Sequence, residues 1–494
     1  MAVKSIGVYT LEQDQSQYVS ATSPLNPAAV IYASWGPYDT IKTITSVSEL
    51  VSTFGEVMSV AYVGLIGIKK YFKYGSTIKL VRAVGSSDAY GTLDLDDSGS
   101  DISLAVRSLY KGAYANRISI SYALGTLSVY VEGKLKEKYT GLTKSSATDK
   151  NSNFKAAINN ISDWIYIPAN ADADTNTDLP ATLASTNLSG GISVLPSKAT
   201  FIGTATGGPS SGPSGLQCFA NDGVEANVLL SIDAGALGTT DSKDVMKEIE
   251  SIAASRLDLV GLVGSPAGMS RDSVVTFMDT TAAFNSTYVA ASWPWVKFTE
   301  AAVNADVFVP STAAHLMVLA KNDRIAFPWY GAFGFNRGSV TEALAIEYAT
   351  SSADRNILEA SQINVFINKS GFGVVLMGNY TKSPTTKATQ SLNVRRLLLF
   401  VKKALSEAAE SLLAEPLDLV TQTQFKSMAD RFLLQVQAKR GLTSFLFVCD
   451  ATNNPPELIA QKTMAATVKL QPTRSTEIIE LSMQVTSTGA KFDE

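Results

Sequence analysis

At 494 residues, 45% of them hydrophobic and 17% charged, the chain is too long for one ordinary core and too apolar for disorder throughout, so two or three globular domains are expected. A formal net charge of -4 excludes a global drive toward nucleic acid or an anionic membrane, and any basic site must be local. Two cysteines, Cys218 and Cys449, exclude a disulfide framework and a paired-cysteine zinc site.

The first ten residues (MAVKSIGVYT) hold no apolar stretch of signal-peptide length, and the longest near-apolar run, residues 60–68, is too short to span a bilayer. A soluble protein without direct membrane insertion is expected. Ile6 and Val8 alternate with small or polar neighbours as in a short strand, followed by a polar run over residues 12–23. Such a strand cannot stand alone, because its backbone N–H and C=O groups need a partner; a frayed terminus is the plain alternative.

Residues 28–84 read as compact α/β structure. Residues 28–33 form a buried strand ended by Trp35-Gly36-Pro37, and 41–44 a second strand. Ser46, with Glu49 three residues on, opens a helix that runs through Phe54 and closes at Gly55. Tyr62, Leu65, Ile66, Lys69 and Phe72 continue helical spacing, and 78–84 reads as a strand. After Gly85 the composition shifts to Ser, Gly and Asp as far as Asp101. Short alternating runs at 117–122, 127–132 and 137–139 then predict a β-rich insertion. Residues 203–215 (GTATGGPSSGPSG) read as a loop.

Strands and helices alternate from 221 to 310: strand 228–232, helix 242–254, strand 257–263, helix 272–284 and strand 288–291. This pattern predicts a layered, partly parallel sheet. Pro310 opens a helix over 310–320, and strands follow at 362–367 and 373–377. Residues 388–413 carry the longest helical pattern. Val394, Leu397, Leu398, Val401, Leu405, Ala408 and Leu412 share one face, which must be buried. The other face has Arg395, Arg396, Lys402 and Lys403 ahead of Glu407 and Glu410, the reverse of the order the helix dipole favours. It is either a solvated surface with a Lys403–Glu407 contact or a basic ridge for an acidic partner. A second helix covers 423–438, and 444–449 is strand-like. Near the end, Ile479, Leu481, Met483 and Val485 alternate strictly with polar residues as in a half-buried strand. That strand is either an edge of its own domain or one donated to another subunit.

No enzymatic constellation emerges, and no catalytic, cofactor-binding or metal-ligating residue is nominated. The single histidine, His315, stands among Ala313, Ala314, Leu316 and Met317 and reads as a packed helix position. The Gly-rich loop lacks the Gly-Lys-Ser/Thr of a phosphate cradle. Asp172, Asp174, Asn176 and Asp178 imitate half a calcium loop, but Thr177 and Leu183 stand where its glycine and glutamate belong. Asp94, Asp96, Ser98 and Gly99 fail likewise, at Ala105.

The order of several short stretches resembles contractile phage tail sheath proteins. Ile6-Gly7-Val8-Tyr9, the run ending in Trp35-Gly36-Pro37, and residues 72–83 (FKYGSTIKLVRA) are similar to the N-terminal part of that family. Residues 309–320 (VPSTAAHLMVLA), Ile363-Asn364 with 371–378, and Asn393-Val394-Arg395-Arg396-Leu397 resemble it further on. So do 447–454 (FVCDATNN) and 472–480, whereas residues 86–196 match least. The resemblance implies a multidomain, mixed α/β fold: an N-terminal arm (1–24), a layered α/β sheath core begun by 25–85, the β-rich insertion domain (86–196), a central sheath domain (197–360), a C-terminal sheath domain (361–471) and a C-terminal strand arm (472–494). It also implies a non-enzymatic virion protein assembled in the host cytoplasm, a homo-oligomer stacked as six-membered rings on a tail tube protein, with baseplate and tail terminator proteins as further partners. Ile6, Gly7, Val8, Tyr9, Ile479, Leu481, Met483 and Val485 become inter-subunit strand arms, and Arg395, Arg396, Lys402 and Lys403 candidates for facing the tube. The alternatives are a sheath of a pyocin-like or type VI secretion device, and a cytosolic α/β enzyme with a Gly-rich ligand loop.

Overall fold

The computed structural model describes residues 25–206 and 212–477. These form two compact units, a larger one of residues 25–328 with 332–403 and a smaller one of Trp329–Gly331 with 404–477.

The larger unit is built on a nine-stranded sheet. Pro27–Tyr32, Val228–Ser231, Val260–Val263 and Val289–Trp293 are buried along their whole length. Such runs suit the middle of a parallel sheet covered on both faces, where no polar alternation is needed. Six neighbouring strands are parallel, in the order Ile363–Lys369, Val289–Trp293, Val260–Val263, Val228–Ser231, Pro27–Tyr32 and Ile78–Ala83. Antiparallel strands finish the sheet, Lys42–Ile44 on one side and Gly373–Met377 then Ser339–Val340 on the other. Helices Val63–Tyr71, Thr239–Arg256 and Ser311–Ile325 pack against it.

Most core elements fall where the sequence places them. Ser46 caps helix Val47–Phe54 by accepting the Glu49 N–H (3.1 Å), and Gly55 ends it at φ +80°. The Glu49 carboxylate reaches back one residue further than a capping box requires, to the Thr45 N–H at 2.8 Å. The hairpin Val296–Glu300 with Ala305–Val309 has no counterpart in the sequence reading. Its turn uses Asn304 at φ +48° and none of the Asn-Gly or Asp-Gly pairs that advertise hairpins.

The insertion has its own core, centred on Leu104, Ile120, Leu127, Val129 and Phe154. It contains the sheet Leu183–Asn187, Ile118–Ala123, Thr126–Val131 and Lys134–Tyr139, and a second sheet that the composition of residues 86–101 hid. There Thr92–Asp96 pairs with Ile102–Ser108 across a turn in which the Asp97 carboxylate accepts the N–H groups of Gly99 and Asp101. Arg82 ties this insertion to the main sheet. Its fully buried guanidinium donates to Ala33 O (2.9 Å), Gly36 O (2.7 Å) and, across the junction, Lys111 O (2.9 Å). Trp35 stacks on Trp164 at 5.7 Å and meets Tyr110 edge-on at 5.3 Å. The insertion is thereby held to the sheet by packing as well as by two chain crossings.

In the smaller unit, Asp418 caps helix Leu419–Ala438 by accepting the Thr421 N–H (2.9 Å). The helix lies on strand Leu442–Val448, with Phe425 and Phe447 edge-to-face at 5.2 Å. The Trp329 indole N–H donates to Lys439 O (3.0 Å). Helix Leu392–Glu410 contains the division between the units, after Lys403.

Candidate assembly surfaces

The polar groups that sequence reading considered for chemistry have structural duties. His315 is 1% exposed in helix Ser311–Ile325; burial, aided by the positive charge of Arg396, pushes its pKa down to about 3. Burial pushes the Cys218 thiol up to about 11. Asp174 sits in the short helix Ala171–Thr175 and pairs with Lys155 at 2.7 Å, while Asn176 donates to Asp97 at 2.9 Å. Asp94 and Asp96 belong to strand Thr92–Asp96. Among the described residues no group of three or more His, Cys, Asp or Glu could hold a metal ion, and no helix is long and apolar enough to cross a membrane.

The polar group that sequence reading missed is Asp233. Its carboxylate fills the crevice where the chain order of the sheet reverses, between Pro27–Tyr32 and Val228–Ser231, the place where open α/β sheets hold ligands. It accepts the N–H groups of Tyr32 and Gly64, each at 2.8 Å. A side chain at Gly64 would collide with it, since an added Cβ would stand 1.9 Å from Asp233 Oδ2. Complete burial raises its pKa to about 7. An acidic residue at the end of the buried stretch Val228-Leu229-Leu230-Ser231-Ile232 was the available signal, and nothing in it distinguishes a plug from a turn.

The charged face of helix Leu392–Glu410 divides in two. Arg395 donates through Nε to Thr287 O (3.2 Å) and lies 4.2 Å above the Tyr288 ring; burial lowers its pKa. Arg396 is 7% exposed and forms a two-pronged ion pair with Asp323, itself 7% exposed. These two arginines join the helix to the body, which corrects the picture of one exposed basic ridge. Lys402 and Lys403 are exposed, with Lys402 Nζ donating to Leu257 O (3.0 Å) and Lys403 pairing with Glu225. On the opposite face Val394, Leu397, Val401, Ala408 and Leu412 are buried and Leu398 and Leu405 half-buried, as their spacing predicts.

The smaller unit presents a different kind of surface. Leu442–Val448 and Thr467–Pro472 pair antiparallel as a sheet of two strands among the described residues, and exposure along Thr467–Pro472 alternates. Each strand therefore has one edge without a described partner. Thr467–Pro472 was not read from sequence, although Val468 and Leu470 alternate with Thr467, Lys469 and Gln471; one period and a closing proline are a weak signal. Ile6, Gly7, Val8, Tyr9, Ile479, Leu481, Met483 and Val485, the expected strand arms, lie outside the described residues.

Comparison with known proteins gives these surfaces a context. No protein-family model matches the chain. It is 35% identical over 187 residues to the tail sheath protein of Vibrio phage KVP40, covering 38% of this chain and 28% of that protein. It is 28% identical over 297 residues to the tail sheath protein of Enterobacteria phage T4, covering 56% and 44%. The chain thus matches less than half the length of either relative. Among solved structures, a sheath tail protein from Listeria innocua superposes with a TM-score of 0.63 at 13% identity over 92% of this chain and 93% of that one. The sheath of an extracellular contractile injection system in its contracted state matches with a TM-score of 0.59 at 13% identity over 98% of both chains. The chain is a sequence relative of phage tail sheath proteins, and its fold is that of the sheath subunits of contractile injection systems.

Proposed function

We propose that this chain is the structural subunit of a contractile phage tail sheath, polymerising as stacked, six-membered rings around a tail tube and contracting to drive the tube through the host envelope. Neighbouring subunits are linked by exchanged terminal strands, residues 6–9 and 479–485. The observation that carries this reading is the two-stranded sheet of the smaller unit. Two strands are marginal alone, and a free edge is a template for another chain's strand, whose main-chain hydrogen bonds supply the link and whose alternate side chains supply register. The role is structural and needs no catalytic site. Of the charged helix face, Lys402 and Lys403 are the accessible pair for a tube contact, while Arg395 and Arg396 hold the helix that carries them. The particle is a virion tail assembled in the host cytoplasm, with baseplate and terminator proteins at its ends.

A related injection device is the second reading, favoured by the contracted injection-system sheath among the structural matches. Electron microscopy of the purified chain tests what both readings share. Rings or tubes are the expected result; discrete small particles at every concentration and salt would overturn it.

A further inference from the structure

A surface cavity of about 440 Å³ opens in the larger unit beside the end of strand Ile363–Lys369, against the start of helix Ser352–Ala360 and the short helix Gly334–Arg337. Its floor is apolar, with Ile346, Ile367 and Met377. Phe335 lines its mouth and meets Phe372 at a tilt, with ring centroids 4.7 Å apart; these rings are 41% and 53% exposed, a costly arrangement for a protein without a partner there. Arg355 and Lys369 supply positive charge at the rim, and Lys369 has no ion-pair partner among the described residues. The Thr350 hydroxyl is buried in the wall and has no hydrogen-bond partner among the described residues. The adjacent carboxylate of Asp354 does not neutralise the rim, being held by Arg271 (2.8 Å) and the Ser351 N–H (2.8 Å). The site therefore asks for an aromatic side chain followed closely by acidic groups.

One stretch of the sequence answers that description. Phe492-Asp493-Glu494 is the single place in the chain where an aromatic residue precedes two successive carboxylates. It lies beyond the described residues, 15 positions after Glu477, a length that spans up to about 50 Å when extended. We propose that the cavity is the docking site for Phe492-Asp493-Glu494 of a second copy of this chain, the phenyl ring entering against Phe335 and the carboxylates meeting Arg355 and Lys369. The inference rests on the polymer reading for the presence of a neighbouring copy. It adds a contact made by side chains, separate from any strand addition in the smaller unit.

A fluorescent peptide of residues 486–494 with a blocked C-terminus, titrated with full-length chain carrying Asp493→Lys and Glu494→Lys to free the cavity, measures the contact directly. Binding is expected, weakening with added salt and falling about tenfold or more when Arg355→Glu and Lys369→Glu are added to the receptor. Mixing then identifies the donor: chains with Arg355→Glu and Lys369→Glu should bind chains with Asp493→Lys and Glu494→Lys, since only that pairing between copies restores opposite charge. Lys369→Glu alone, at an exposed position, serves where the double change disturbs folding. Equal peptide binding to both receptors, no binding to either, or no association on mixing would overturn the docking. If tubes form while the peptide fails to bind, the docking fails alone; if neither tubes nor rings form, the sheath reading fails.

Discussion

The nine-stranded sheet of the larger unit and the two-stranded sheet of the smaller one differ most in their edges. The nine-stranded sheet ends in strands of three residues, Lys42–Ile44, and two residues, Ser339–Val340. Short edges offer little backbone to an incoming strand. The two-stranded sheet of the smaller unit is edged by Leu442–Val448 and Thr467–Pro472, seven and six residues long. Among the described residues, the difference separates a sheet with short edges from one whose edges are long enough to receive a partner strand. In the proposed polymer, the first sheet would stabilise the subunit by itself and the second would gain stability on assembly.

The largest expected effect follows from removing an arm. Deleting residues 476–494 should leave the melting temperature of the body almost unchanged and abolish polymerisation; normal tubes from that truncation, seen by electron microscopy, would remove the distinction between the sheets. Next, within the body, Arg396→Ala leaves the Asp323 charge buried without its partner. A loss of about 3–5 kcal/mol in denaturant unfolding is expected, because an unpaired buried charge keeps its desolvation cost. Lys403→Ala breaks an exposed pair with Glu225 and should cost no more than about 1 kcal/mol. Similar losses from the two changes would contradict the division of the helix face. Lys402→Glu with Lys403→Glu should weaken co-sedimentation with the tube protein more than self-assembly.

A smaller effect concerns pH, where two buried groups oppose each other. Burial lowers the His315 pKa from 6.5 to about 3, so in that window the unfolded chain takes up a proton that the folded chain refuses; stability falls as pH drops from about 6.5 toward 3. Asp233 is raised from 3.8 to about 7, so between those values the folded chain holds a proton that the unfolded chain has released; stability falls as pH rises from about 4 toward 7. Each slope is on the order of 1.4 kcal/mol per pH unit at most, and they cancel where the windows overlap. Chemical denaturation from pH 4 to 6.5 should be nearly flat for the parent, fall with rising pH in His315→Leu, and rise with pH in Asp233→Asn. Parallel curves for all three would show that neither group titrates as its surroundings dictate.

The legibility of the sequence follows the same boundary. Ser46, Gly55 and Pro310 announced helix ends because capping is a local property of a few residues, and the largely apolar central strands announced themselves by composition. The hairpin around Asn304 stayed hidden because its turn lacks an Asn-Gly or Asp-Gly pair, and strand Thr92–Asp96 because the Ser, Gly and Asp around it read as loop; both depend on partners supplied by tertiary context. The helix over residues 392–410 was legible on its apolar face. Its charged face was not, because helical periodicity cannot report that Arg396 meets Asp323, 73 positions earlier, whereas Lys403 stays at the surface. Long-range ion pairs leave no periodic trace.

Backbone hydrogen exchange over Thr467–Pro472, compared between isolated subunits and assembled polymer, tests the central claim most directly. Rapid exchange of the outward-facing N–H groups is expected in the isolated subunit and strong protection in the polymer, as a neighbour's strand completes the sheet. Equal protection in both states would mean that the sheet is already complete within one chain and would contradict assembly by strand exchange there.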